Sequence, residues 1–208
     1  MIRIFIFSYS GDAAEAVACV RCARMAVPCA SVTVVDDASS PVQEETAEAL
    51  RSMGAEYVQS SWERHGNLRG PDCIRGMLSE MCREAEDDDI LVKVDCDTAL
   101  LDGGWLRWME QRPWCQMYTS GDFVNGDWRV FGCLYALRGW IARRLYREMD
   151  WSLLDDRAPE DWTIGREVLA RVPAALCRID EPWRKRSPWS IWTAWCWPSR
   201  TVTAERYA

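Results

Sequence analysis

Three short apolar runs each end in side chains suited to chemistry. Ile2-Arg3-Ile4-Phe5-Ile6-Phe7 stops at Ser8 and Tyr9. Ser31-Val32-Thr33-Val34-Val35 stops at Asp36 and Asp37. Ile90-Leu91-Val92-Lys93-Val94 stops at Asp95-Cys96-Asp97. Nearly continuous β-prone runs suit strands buried on both faces, the habit of parallel sheets. Helical stretches alternate with them. Residues 12–26 are Ala-rich, open on Asp12 as a candidate N-cap and stop near Pro28; residues 42–53 and 73–85 give two more helices, with a short strand at Tyr57-Val58 between them. The pattern continues with helix 103–111, strand 115–119, a loop after Gly121, strand 130–137, and helices 139–149 and 160–171. Such alternation predicts an α/β fold, a single α/β/α sandwich with a mostly parallel central sheet and right-handed crossovers.

The regular pattern fails near residue 181. The segment EPWRKRSPWSIWTAWCWP carries five of the 13 tryptophans, and residues 181–208 read as a Trp-rich extension of a domain spanning 1–180. Arg184-Lys185-Arg186 before Trp189, Trp192, Trp195 and Trp197 suits a segment packed over the sheet, a sugar or homodimer contact, or peripheral contact with a membrane surface. A formal charge of −7 argues against nucleic acid as a partner. No apolar run reaches the roughly 18 residues of a membrane helix, and the N-terminal run is too short for a secretory signal. A cytoplasmic protein with reduced cysteines is the expectation. Cys19 and Cys22 form a C-x-x-C, but it sits within a predicted helix and only Cys29 is near. Buried helix thiols are favoured over zinc or redox chemistry.

In an open parallel sheet, ligands bind beyond the carboxyl ends of the strands. Asp95 and Asp97, two residues apart at a strand end, point the same way. Paired carboxylates can hold a hard divalent cation, which in turn takes a diphosphate; the plainer alternative is a strand running into an acidic turn. Lys93 shares their side of the strand, as a counter-charge or as cover for the rim. Asp36 and Asp37 stand where such folds meet a ribose or base, with Tyr9 near enough to pack on that base; they also suit helix N-capping. No glycine-rich phosphate loop follows any strand, which disfavours P-loop enzymes and dinucleotide dehydrogenases. Phosphates would depend on metal and on arginine, and Arg64, Arg69 and Arg75 lie in or near the polar stretch at 61–72.

In this order, FIFSYS, VVDDASS, KVDCDTALLD, VFGCLYALRGWIARRL and APEDWTIG resemble the motifs of GT-A-type glycosyltransferases, broadly those of glycosyltransferase family 2. KVDCDTALLD, with its DxD, and PEDWTIG, with its ED pair, are also similar to segments of β1,3-galactosyltransferase-type enzymes. The resemblance covers about residues 1–180, which would form the catalytic domain. It implies a hexosyltransferase that moves a sugar from a nucleotide-diphosphate donor, foremost a UDP-sugar, to the hydroxyl of a glycan, lipid-linked or protein acceptor. The transfer would be metal-dependent and inverting. Ser8, Tyr9, Asp36, Asp37, Arg69 and Asp95 would bind the nucleotide, and Asp95 and Asp97 would bind Mn²⁺ or Mg²⁺. Asp161 would be the general base, with Glu160 supporting it or binding acceptor. Gly132, Cys133 and the stretch on to Tyr135, together with Trp162, would border sugar and acceptor. Asp161 opens a predicted helix, where the dipole favours its ionised form. Two departures stand out. The lone histidine, His65, lies after the third strand rather than late in the chain, and Cys96 interrupts the DxD with a side chain expected to face away. Two other readings are a nucleotidyltransferase, although SYSGDAAEA lacks the usual Gly-rich basic loop, and a non-catalytic GT-A-like binding or scaffold protein.

Overall fold

A computed structural model of the chain describes residues 1–64, 68–124, 127–180 and 196–198. The apolar runs form a parallel half-sheet. β1 (Ile2–Ser8) has β2 (Ser31–Asp36) on one side and β4 (Ile90–Asp95) on the other, and β3 (Glu56–Gln59) lies outside β2, all parallel. The connecting helices are α1 (Ala13–Ala26), α2 (Glu44–Ser52) and α3 (Pro71–Cys82). Then come β5 (Thr98–Leu100), α4 (Gly104–Glu110), β6 (Met117–Val124), β7 (Asp127–Arg138), α5 (Gly139–Glu148), α6 (Glu160–Arg171), β8 (Cys177–Asp180) and β9 (Cys196–Pro198). The main sheet has seven strands in the order β3-β2-β1-β4-β7-β6-β8. Among them β7 alone is reversed, antiparallel to both β4 and β6, while β6 and β8 are parallel to each other.

Side chains alternate across the sheet and fill a core on each face. Ile4, Ile6, Val92 and Val94 meet Val20 of α1, Leu50 of α2 and Leu106 of α4. Phe5, Phe7, Leu91 and Tyr135 meet Ile74 of α3, Ile141 of α5 and Ile164 of α6. This double burial is why the strands read as unbroken apolar runs. Each such side chain contributes about 1.5–3 kcal/mol by leaving water, so a charge in the middle of β4 is conspicuous: Lys93 is only 1% exposed.

Several boundaries differ from the sequence reading. A 3₁₀ turn at Ser10–Asp12 precedes α1, and the Asp12 side chain does not cap it. The segments read as 42–53 and 73–85 are helical over Glu44–Ser52 and Pro71–Cys82. The strand expected at 115–119 starts at Met117 and runs on to Val124, through the expected loop, with a register shift between Thr119 and Gly121. β5 and β8 were not expected; strands of three or four residues carry too little periodicity to read. Of the Trp-rich extension, Cys196–Pro198 forms β9, antiparallel to β5. The remainder, with its expected sugar, dimer or membrane contacts, lies outside the described residues, as does His65. Cys19 and Cys22 are buried on α1 and form no disulfide. No helix among the described residues is long and apolar enough to cross a membrane.

Candidate active site

A cavity of about 620 Å³ opens at the carboxyl ends of β1 and β4. Its floor is built from β4. Lys93 and Asp95 project to the same side, and the Lys93 ammonium lies 2.6 Å from Asp95 Oδ1 and 3.4 Å from Glu160 Oε2. It also donates to the Gly132 carbonyl, and the Tyr135 hydroxyl donates to Glu160 Oε1. Burial lowers the Lys93 pKa, but Asp95 and Glu160 reverse the effect and hold the amine charged. Burial pushes the Glu160 carboxyl up to about 7, with Lys93 pulling it back. The Tyr135 phenol is held well above its usual range by burial and by Glu160.

One wall is the first turn of α6. Its position is set by a clasp: Glu160 N donates to the Leu68 carbonyl, Gly70 N donates to the Ala158 carbonyl, and Arg69 bridges Pro159. To make that clasp Leu68 adopts a left-handed φ of 51° and Gly70 a φ of 82°. The left-handed region costs a residue with a Cβ about 1–2 kcal/mol, and burial of the Leu68 side chain helps to hold it there. The clasp sets Arg69 on the cavity beside Glu160 and Asp161. Across from α6, β7 passes so close that a Cβ at Gly132 would stand 3.0 Å from Asp161 Cβ and 3.3 Å from Glu160 Oε2.

The opposite end is lined by Tyr9, Asp12, Glu15 and Arg64. Arg64 Nη1 lies 2.8 Å from Asp12 Oδ2, and its guanidinium lies over the Tyr9 ring, 5.0 Å from the centroid. Among the described residues its buried Nε has no hydrogen-bond partner. Cys96 donates its thiol hydrogen to the same Asp12 oxygen at 2.7 Å. Cys96 therefore lines the cavity as well, between the two DxD carboxylates, where the sequence reading turned it away.

The cavity brings together Tyr9, Arg69, Asp95, Asp97, Gly132, Cys133, Glu160 and Asp161. Ser8, Asp36 and Asp37 stand outside its lining. Asp36 is fully buried and accepts hydrogen bonds from Ser8 Oγ, Val42 N and Tyr57 OH, tying β1, β2, β3 and the next loop together. Asp37 accepts from Ser39 N and Oγ and from Arg64 N, so it reaches the cavity only through Arg64. Trp162 follows Asp161 on α6, 49% exposed, and its backbone N donates to Asp161 Oδ1. The sequence reading missed Asp12 and Glu15 as site residues, and placed Tyr135 at the sugar rather than behind Glu160. Asp12 carries an ordinary N-cap signal that masks its pairing with a distant arginine.

No family model matches the chain, and no curated protein does. Solved structures do. The galactosyltransferase LgtC, in complex with donor and acceptor sugar analogues, superposes with a TM-score of 0.53 at 15% identity, over 80% of this chain and 70% of its own. Glucosyl-3-phosphoglycerate synthase from Mycobacterium tuberculosis, in complex with UDP, reaches 0.57 at 12% identity, over 87% and 69%. That enzyme has also been solved with Mn²⁺, UDP and glucosyl-3-phosphoglycerate. Mouse xyloside xylosyltransferase 1 reaches 0.55 at 8% identity, over 86% and 85%. The fold is GT-A.

In this GT-A chain the metal question turns on the donor set. Among the described residues no three His, Cys, Asp or Glu side chains are grouped to hold an ion by themselves. Asp95 and Asp97 nevertheless place hard oxygen donors on the cavity. Mg²⁺ and similar ions bind with one or two carboxylates, taking their other ligands from phosphate and water. The two aspartates fit such an ion, provided that a diphosphate completes its shell.

Proposed function

We propose that the chain is a metal-dependent glycosyltransferase that passes a hexosyl group from a UDP-sugar to an acceptor hydroxyl. The observation that carries this reading is the meeting, in one GT-A cavity, of the strand-end acids Asp95 and Asp97 with the helix-start acids Glu160 and Asp161. The two pairs are the equipment of a displacement with a charged leaving group and a proton to remove. The known complexes of glucosyl-3-phosphoglycerate synthase with UDP and Mn²⁺ make UDP the first donor nucleotide to test.

Asp95 and Asp97 would hold Mn²⁺ or Mg²⁺, whose charge offsets that building on the departing diphosphate. Arg64 and Arg69, on the same cavity, add guanidinium donors suited to phosphate oxygens. Tyr9, beside Arg64, faces the nucleoside. Asp161 accepts the proton of the acceptor hydroxyl while its oxygen forms the new bond to the anomeric carbon and the bond to UDP breaks. Glu160, held by Lys93 and Tyr135, fixes the helix start from which Asp161 projects. Direct displacement inverts the anomeric centre, and the anomeric coupling constant of the product reads it by NMR.

Thermal shift with UDP-, GDP- and CMP-sugars, each with and without Mn²⁺, tests the reading. UDP-sugar with Mn²⁺ raises the melting temperature, and Asp97→Ala removes the part of the rise that needs Mn²⁺. If no nucleotide stabilises the protein, the enzyme reading fails and a scaffold that kept the fold takes its place.

A further inference from the structure

Lys93 is an anomaly in a chain where 23 of the 25 basic residues are arginine and Lys185 is the one other lysine. Arginine is the better residue for planar, bidentate pairing, whereas an ammonium is a compact charge with three diverging donors. Three acceptors surround Lys93 Nζ: Asp95 Oδ1, Glu160 Oε2 and the Gly132 carbonyl. They come from three elements, β4, α6 and β7. Asp95 belongs to the donor side of the cavity and Glu160 to the side of the proton acceptor.

Stability does not account for this arrangement. Burying a charge is costly, and replacing a buried ion pair with apolar groups of like volume is often neutral or stabilising. A sheet face that carries Phe5, Leu91 and Tyr135 would accept an aliphatic side chain in that place.

Building on the glycosyltransferase reading, we propose that Lys93 is a positioning residue, a single buried cation that sets the Asp95 carboxylate of the donor half and Glu160 of the acceptor half in one geometry. Asp95 alone, 28% exposed at the end of its strand, has several rotamers open to it. Lys93 selects the one seen here and ties it to the first turn of α6. The lysine thus acts as an outer support of a carboxylate that meets the ligand.

The test compares Lys93→Met, Glu160→Gln and the double variant Lys93→Met/Glu160→Gln, in which Glu160 is not left charged without its cation. The readouts are the melting temperature and, by calorimetry, UDP affinity as a function of Mn²⁺. The double variant is expected to fold with a cooperative melt. It should need about 10- to 100-fold more Mn²⁺ than Glu160→Gln for the same UDP affinity, the usual cost of losing an outer-shell partner. A double variant that matches Glu160→Gln in Mn²⁺ requirement would overturn the proposal, and Lys93 would then be only a counter-charge. Failure of both lysine variants to fold would overturn it too, by assigning Lys93 to stability. If the wild-type protein binds no UDP with Mn²⁺, the glycosyltransferase reading itself falls, a result distinct from a wild type that binds and a variant that binds equally well.

Discussion

Arg64 and Asp12 are 52 residues apart in sequence and 2.8 Å apart in space. Their ion pair fastens the segment after β3 to the turn before α1, against the face of the Tyr9 ring. Both side chains are largely buried, at 10% and 17% exposure. Asp12→Ala leaves a buried guanidinium without its carboxylate, which should cost about 3 kcal/mol. For a chain of this length that is a fall of about 6–12 °C in melting temperature. Asp12→Ala/Arg64→Met should lose less than Asp12→Ala alone, since the uncompensated charge is gone. Thermal melts of the two variants decide it.

Glu160 makes stability depend on pH in an unusual sense. Its carboxyl titrates near 7 in the folded chain against an ordinary value of 4.5. Between those values the folded state binds the proton and the unfolded state does not. The contribution is therefore full below pH 4.5 and is lost as pH rises toward 7, with a span of about 3 kcal/mol. Denaturant titrations of the wild type and Glu160→Gln from pH 5 to 8 measure it. The wild type's advantage over the variant should shrink with rising pH and then level off. An advantage that grows with pH would mean that Lys93 keeps Glu160 ionised in the folded protein.

Gly132 is needed for closeness. A methyl group there would meet Asp161 Cβ at 3.0 Å and Glu160 Oε2 at 3.3 Å, and the first turn of α6 would have to move. Gly132→Ala should keep UDP binding within a few-fold of wild type and reduce sugar transfer by about 100-fold, the usual scale for a misplaced reacting group. A kinetic comparison of donor KM with kcat separates the two effects.

Asp161→Asn removes the proton acceptor while leaving a side chain of the same shape. UDP and Mn²⁺ binding should persist, and transfer should fall by about 10²–10⁴-fold. Normal transfer by this variant would remove Asp161 from the role of base.

The parallel half of the sheet was legible because Ile4, Val34 and Val92 are buried on one face and Phe5, Val35 and Leu91 on the other, and such burial writes itself as continuous apolar runs. The clustering of Asp95 and Asp97 with Glu160 and Asp161 was legible through motif order. The supports of that cluster were not. Lys93 and Asp95 show their relation at a spacing of two, but Lys93 and Glu160 are 67 residues apart, and nothing local announces a pair at that distance. The partners of Asp36 were hidden for a related reason. A strand-end acid reads as a ligand contact, whereas Tyr57 and Val42, from elements further along, occupy its oxygens. The left-handed Leu68 was invisible, because a buried leucine gives no sign of its backbone angle.

The reach from Lys93 to Glu160 also orders events in time. As the chain emerges, β1 to β4 are available well before α6, and until then the ammonium has one carboxylate, Asp95, on an otherwise oily face of the sheet. That seam has to stay wet. It dries when the helix carrying Glu160 and Asp161 docks, so the polar cleft and the last apolar seam of this sheet face close together.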